Sequence, residues 1–473
     1  MATTTNRGRS IPLNCVDKCE LALDGIDEPA TTYAILDLEG AVDTERLKQA
    51  IFSAQKVHLR TRTIVRRRRL RLIREIEDDL RDEVLTVWNL AELPDRDYEG
   101  CIFEFLNRRI DVRKEFPFRA LVLRRNDVEW SLMFTFHHSA LDGIRALAFV
   151  RSIIEHYNNE LSEASRPPED ARIFSKKDEL FEFAQSQRAR VDHYYRKMFS
   201  YLLRRFILEA FRPPTRVFHD KSGKSKEMGH YARTIPPAEL KQLVSGTTSA
   251  GVELNDLLLA ALYMTVDKWN RMHGKASKKI RVMLPVNMSP KGFRHIVSNQ
   301  AAWLTLSTMP EDRADPVRLL KKVRSEAVHA TQNRRAFSLV YFFYFSSRFP
   351  LVIMSELCRF LIITRTYIDS ILLTNLGPTW PKVGSDQPAI TGIGSSRILS
   401  ISGSTSVVSP MGLSICLGTY DGNLSITVAY RPAMFSSHKI RSFLDLYVEQ
   451  IGQYKVGLPA PAAAVPVDCA TQR

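Results

Sequence analysis

The sequence predicts a mixed α/β (α+β) fold in two lobes, from its length, its composition and its alternation of strand and helix patterns. A chain of 473 residues exceeds the roughly 300 at which a single hydrophobic core stops growing, so two domain-sized cores are expected. Hydrophobic residues at 44% and charged residues at 25% are those of an ordinary globular protein and exclude a disordered or collagen-like chain. Strand and helix patterns are interleaved in both halves, the mark of a mixed architecture.

Thr32 to Leu38 reads as a strand, and Val42 to Val57 as an amphipathic helix opened by Asp43-Thr44-Glu45. The basic run from Ile64 to Arg74 has the look of a nucleic-acid or nuclear-localisation patch. Its later part alternates apolar and basic residues, however, as the solvated face of a strand does. Phe118 to Leu123 and Trp130 to Phe136 flank the polar Arg124-Arg125-Asn126-Asp127, which predicts a hairpin. Its second strand leads straight into His137, and Ile144 to Tyr157 has helical spacing, so the segment between them is a strand-to-helix loop.

The pattern weakens from about Ser165 to Lys226, at Pro167-Pro168, Pro213-Pro214 and Asp220 to Lys226, which predicts a crossover between lobes. From His230 onward strands are expected at Tyr231–Ile235, Lys279–Leu284, Ala301–Leu306, Ser370–Thr374, Leu413–Leu417 and Leu424–Ala429, with helices at Pro237–Leu243 and after Leu254 to about Asn270. The expected organisation is a first lobe over 1–185, a crossover over 186–228 with an amphipathic basic helix, a second lobe over 229–457 and a Pro/Ala-rich tail over 458–473.

The formal net charge of +15 suits anionic partners: a phosphorylated co-substrate, an acidic carrier protein or an anionic membrane. Neither zinc-finger spacing nor an RNA-binding aromatic signature accompanies it, so nucleic acid is not expected. Six cysteines (Cys15, Cys19, Cys101, Cys358, Cys416, Cys469) are too few and scattered for a disulfide framework, and no Cys/His pair joins Cys15 and Cys19 to form a metal site. Free thiols in a reducing cytoplasm are the expectation. Met1 to Pro12 lacks the apolar core of a secretory signal, and no apolar run reaches the roughly 20 residues of a membrane span. Tyr194 to Arg212 combines aromatic, aliphatic and basic residues as an interfacial helix would, and Phe337 to Ile363 is rich in aromatic and aliphatic residues; both suit helices packed on the lobes, the commoner outcome, and leave open a peripheral contact at the inner membrane surface.

The most informative segment is His137-His138-Ser139-Ala140-Leu141-Asp142-Gly143. An imidazole is the side chain best suited to take a proton from an alcohol or amine attacking a carbonyl. One histidine suffices, and His138 is the candidate base. Asp142 reads as structural, a carboxylate paired with a basic residue, and Gly143 as the point of backbone freedom. The plainer reading makes both histidines hydrogen-bonded loop residues or metal ligands.

These residues, with the strand before them, resemble the HHxxxDG motif of the CoA-dependent acyltransferase superfamily. That superfamily includes chloramphenicol acetyltransferase, wax ester synthase/diacylglycerol acyltransferase, alcohol acetyltransferases and nonribosomal peptide synthetase condensation domains. Leu284-Pro285-Val286-Asn287-Met288 with Ser298-Asn299, then Thr374-Asn375-Leu376-Gly377-Pro378 and Gly418-Thr419-Tyr420-Asp421-Gly422, are similar to its later landmarks, so the resemblance covers nearly the whole chain. It implies two chloramphenicol-acetyltransferase-like lobes in a V-shaped pseudo-dimer, with an active-site tunnel between them. His138 would be the base and no metal or permanently bound cofactor would be needed. The co-substrate would be acyl-CoA or a phosphopantetheine-linked acyl donor. Thr374, Asn375 and Asn299 would line the tunnel or face the oxyanion.

One departure is Ser289, where many relatives carry an arginine that can pair with the motif aspartate; Arg294, Arg60 or Arg62 are the substitute partners expected for Asp142. The leading activity is transfer of an acyl group from a thioester on CoA or an acyl carrier protein to an alcohol, forming an ester. The alternative is a free-standing condensation enzyme joining a carrier-bound acyl group to an amine. A binding-only relative is a third reading, disfavoured because such forms typically lose the second histidine.

Overall fold

The computed structural model describes residues 9–69, 71–159, 178–187, 193–204, 211–249, 251–288, 299–364, 369–380, 390–409 and 411–454. The first part of the chain forms β1 (Ser10–Pro12), α1 (Cys15–Asp24), β2 (Thr31–Glu39), α2 (Thr44–Val57), β3 (Thr63–Arg68), β4 (Arg71–Ile76), β5 (Leu85–Asn89), α3 (Tyr98–Asn107), β6 (Phe118–Arg124), β7 (Glu129–His137), α4 (Gly143–Asn158), α5 (Glu179–Gln187) and α6 (Tyr194–Leu203). The remainder forms β8 (Gly229–Ile235), α7 (Pro237–Ser249), α8 (Leu254–Met272), β9 (Ile280–Asn287), β10 (Ala301–Thr308), α9 (Pro316–Gln332), α10 (Arg335–Ser346), α11 (Leu351–Ile363), β11 (Ile371–Pro378), β12 (Gly392–Ile393), β13 (Ser396–Thr405), β14 (Leu413–Tyr420), β15 (Asn423–Tyr430) and α12 (Ser437–Gln453).

Two six-stranded mixed sheets organise the molecule, ordered β12-β13-β2-β7-β6-β5 and β10-β9-β11-β14-β15-β8. The expected mixed α/β architecture is the one observed. In the first sheet β7 lies between β2 and β6, antiparallel to both. Its residues from Ser131 to His137 are all buried, which explains a nearly continuous apolar run where a one-sided strand would alternate. Leu132, Phe134 and Phe136 join the core beneath α2 and α4, while Met133 packs on the opposite face with Cys101 and Phe105 of α3. The Asp43 carboxylate caps α2 by accepting from Arg46 N at 3.0 Å, and α2 buries Leu47, Ala50, Ile51 and Ala54 at the spacing of one helix face.

One connection crosses the sequence-based division. β12 and β13, from the C-terminal part of the chain, belong to the first sheet, where β13 pairs with β2 from Thr32↔Thr405 to Glu39↔Arg397. The chain then returns to the second sheet as β14. Gly403 makes the pairing possible: a Cβ there would stand 2.4 Å from Tyr33 O, so only glycine lets the backbones approach this closely.

The basic run departs from expectation. It is a hairpin, β3 and β4. Arg66 to Arg68 are exposed as expected, but Arg74 is fully buried beneath the strand-to-helix loop. Of the amphipathic segment from Tyr194, α6 is described to Leu203; residues 205–210 and the 458–473 tail lie outside the described residues. Among the described residues no helix is long and apolar enough to cross a membrane.

Candidate active site

β7 delivers His137 and His138 to a turn that ends at the first residue of α4. Backbone groups fix its entry: His137 N donates to Pro117 O at 2.9 Å, His138 N to Ala30 O at 2.7 Å, and Ala140 N to His137 O at 2.9 Å. Such bonds hold the loop as rigidly as the strands beside it.

The two histidines have different surroundings. His137 is buried, and its Nδ1 accepts from Ser139 N at 3.2 Å. The ring proton therefore resides on Nε2, which lies 3.9 Å from Asp24 Oδ2. Burial pushes the Asp24 carboxyl up, but His137 and Arg109 outweigh it and hold it below the usual carboxylate range. His138 instead is half-buried and borders open space. The buried Asn299 amide donates to His138 O at 2.8 Å and lies 3.4 Å from its Nδ1. Asn299, expected to line the tunnel, thus braces the loop.

Beneath the loop, the Arg74 guanidinium donates to both Ser139 O and Ser139 Oγ. Burial lowers its pKa to about 10, opposed by Asp17, 3.7 Å from Arg74 Nε and 2.9 Å from Arg60 Nη1. Arg60, expected as a partner of Asp142, therefore pairs with Asp17. Among the described residues Asp142 takes backbone donors: Oδ1 accepts from Arg145 N at 3.0 Å as the N-cap of α4, and Oδ2 accepts from Gln300 N at 2.8 Å. Among the described residues these two N–H groups and the positive end of a helix are what the carboxylate faces. Ser289 and Arg294 lie outside the described residues. Gly143 also differs from expectation. It has ordinary helical backbone as the first residue of α4, and a Cβ there would come 3.3 Å from Leu376 Cδ2. Its requirement is space against the second lobe.

Two cavities of about 180 Å³ each reach His138. Both are also lined by Pro285, Ala301 and Thr405, so they meet around the histidine. One is apolar, with Val16 and Leu23 of α1, Trp303 of β10, Phe343 of α10 and Leu361 of α11 on its walls. Polar groups are more frequent along the other: Asp142, Asn287, Thr374, Asn375, Ser402 and Thr427. Thr374 and Asn375 thus line the same cavity as His138. The Asn375 side chain also donates to Asn255 Oδ1 and accepts from Gly377 N, where Gly377 takes a φ of +69° that suits glycine. Cys19 and Cys358 face each other across the apolar cavity wall: the Cys19 S–H holds the Cys358 thiol below its usual range. Among the described residues no group of three or more His, Cys, Asp or Glu side chains could hold a metal ion.

The residues missed by sequence reading are Arg74, Asp24 and the β13 wall. Gly403 within an otherwise regular strand was a sign of close backbone approach.

Two chloramphenicol-acetyltransferase-like lobes with such a loop at the junction of two cavities define a class of acyl-transferring protein. Residues 30–333 match the Condensation domain family, well over half of the chain, and the chain belongs to that family. An uncharacterized protein of Mycobacterium tuberculosis is 27% identical over 370 residues, 75% of this chain and 80% of that protein. Surfactin synthase subunit 1 of Bacillus subtilis is 26% identical over 167 residues, 33% of this chain and 4% of that protein. Among solved structures, the first condensation domain of the CDA synthetase superposes with a TM-score of 0.68 at 15% identity, covering 95% of this chain and 97% of that one. The starter condensation domain of rhizomide synthetase, solved with C8-CoA and Leu-SNAC, gives 0.65 at 11% identity and covers 96% of each chain. These similarities establish the shared fold, and the family match establishes acyl transfer as the class of activity.

Proposed function

We propose that the chain moves an acyl group from a thioester to an alcohol, forming an ester, with His138 as general base. The observation that carries the reading is the meeting of an apolar and a more polar cavity at His138. An acyl chain suits the first, and a hydroxyl-bearing acceptor the second. His138 takes the hydroxyl proton as the oxygen attacks the thioester carbonyl. The C–O bond forms, and the carbonyl oxygen becomes an oxyanion. Thr374, with Asn375 beside it, is the candidate hydrogen-bond donor to that oxyanion. When the C–S bond breaks, the thiolate leaves with the proton held by His138. His137, Asp142 and Gly143 act by holding the loop.

Amide formation from a carrier-bound acyl group and an amine is the second reading. It is favoured by the kinship with surfactin synthase and condensation domains, and uses the same proton transfers. Thiol release from acyl thioesters with alcohol or amine acceptors, followed by identification of the product linkage, separates the two. His138→Ala is expected to lower kcat by about 10³-fold, within the range for general-base removal; release that persists unchanged in the variant overturns the assignment of the base.

The reading includes peripheral contact with the inner membrane surface through α11. Val352, Ile353, Phe360 and Ile363 are exposed on one face of α11, alongside Glu356 and Arg359, with Phe345 and Phe349 nearby in the chain. The opposite face, with Met354, Leu357, Cys358 and Leu361, lines the apolar cavity. An apolar face of this kind is rare on a free surface, and an apolar substrate could pass from lipid past the same helix. Val352→Glu with Phe360→Glu should abolish sedimentation with anionic vesicles; equal sedimentation of variant and parent would refute the contact.

A further inference from the structure

β10 and α10 run together away from His138, and the character of what they line changes along the way. Near the histidine, Ala301 and Trp303 of β10 and Phe342 and Phe343 of α10 line the apolar cavity. Further along the same strand, Thr305 and Ser307 line a separate and larger space of about 1660 Å³, together with Arg335 and Ser338 at the start of α10. At about 3.4 Å per strand residue, Ser307 lies about 20 Å beyond Ala301. At 1.5 Å per helix residue, Arg335 lies about 12 Å from Phe343.

This larger space is cationic. Arg196 and Lys197 of α6, Arg204 just beyond it, Arg212, Lys278 and Lys279 all border it. Among its described lining residues the one carboxylate is Glu326, 3.3 Å from Arg335. The basic residues of the amphipathic segment therefore gather around a recess. Like charges so arranged raise the local concentration of an anion. A recess suits a small polyanion that can enter it, where an acidic protein surface would require a convex basic face. Its volume exceeds the roughly 300–1,000 Å³ of an ordinary ligand site, leaving room for a nucleotide and part of an extended arm.

We propose that this cavity holds the phosphate-bearing nucleotide end of a coenzyme A thioester, whose arm follows β10 and α10 to present the thioester at His138. The inference rests on the acyl-transfer reading and assigns the donor to free coenzyme A thioesters in place of carrier-bound ones. Trp303 supplies a further point of recognition. It lies on the same strand face as Ala301, Thr305 and Ser307, and its buried indole N–H has no hydrogen-bond partner among the described residues. It is a donor for an amide carbonyl of the arm. Trp303 and Phe343 pack with ring centroids 5.0 Å apart between the two sets of lining residues, and the arm passes when that pair parts.

The test uses the full chain and adenosine 3′,5′-bisphosphate as the probe, titrated by calorimetry against the parent protein and the Lys278→Glu/Lys279→Glu variant. Binding to the parent is expected, with Kd raised at least tenfold in the variant, and the kcat/KM preference for an acyl-CoA over the phosphate-free acyl-pantetheine should shrink by at least the same factor. Arg196→Ala, on a different element, repeats the measurement with a smaller perturbation should the double variant melt early. No binding of the bisphosphate to the parent, or equal binding by parent and variants, overturns the proposal; so does variant-sensitive docking of an acidic acyl carrier protein in its place. Bisphosphate binding without turnover of any thioester would sustain the cavity assignment while sinking the acyl-transfer reading, whereas turnover of acyl-pantetheine without bisphosphate binding would do the reverse.

Discussion

The two cavities at His138 share a wall and little else. On the α1, α10 and α11 side the space is bounded mostly by aliphatic and aromatic side chains; on the β11, β13 and α4 side it is bounded by hydroxyls, amides and a carboxylate. A histidine in a uniform pocket would serve one molecule. Placed between unlike spaces, it is open to two that differ in polarity, and under the proposed function the difference teaches which partner each side admits.

The comparison breaks first at the loop that holds His138 between the cavities. Arg74→Met removes the donor to Ser139 O and leaves Arg60 as the remaining arginine at Asp17; loss of one partner from a buried charge cluster of this kind costs about 3 kcal/mol, read as a lower thermal midpoint. Stability equal to the parent's would show that the loop stands without its brace. On the polar side, Thr374→Val keeps the side-chain shape and deletes the hydroxyl. If Thr374 faces the oxyanion, kcat should fall about 10²-fold with little change in KM; a drop of less than about threefold would reduce it to a wall residue.

Acid sharpens the comparison further. His230, half-buried with its Nδ1 3.0 Å from Tyr33 Oη, has its pKa lowered to about 4, desolvation outweighing the pull of Asp37, and Tyr33 borders the polar cavity. Because the unfolded chain takes up this proton near pH 6.5 and the folded chain does not, stability present above pH 6.5 is lost as pH falls toward about 4. The slope is about 1.4 kcal/mol per pH unit. His58, lowered to about 3 by burial and His156, adds a parallel loss. The thermal midpoint of His230→Gln should depend less steeply on pH across this window; parallel profiles would exclude His230 as a source. On the apolar side, Leu361→Trp should reduce kcat/KM for long acyl donors about tenfold while sparing short ones, and a uniform reduction would show that acyl chains do not occupy that space.

Much of this was legible in the sequence because it rested on local signals. The run before His137 gave β7, the spacing after Gly143 gave α4, and the motif gave the loop between them. What escaped depended on partners distant in the chain. Arg74 reads as one more surface arginine until β4 folds under Ser139. Asp142 also accepts from Gln300 N, a backbone group with no sequence signature. That the Asn299 amide holds His138 O was not legible either, since spacing does not say whether an amide faces a cavity or the loop beside it. The pairing of β13 with β2 was invisible for the same reason, as both strands have ordinary β composition and nothing local names their partner.

That pairing has a consequence for synthesis of the protein. A chain emerging from the ribosome in order can form β2, β7, β6 and β5 early, but one side of β2 stays open until residues 396–405 have been made. During that interval β2 exposes unpaired backbone groups, the condition under which nascent chains aggregate or recruit chaperones. The late strand also carries Ser402 and Thr405 into the walls around His138, so the reactive centre is completed only when the far end of the chain returns to close the first sheet.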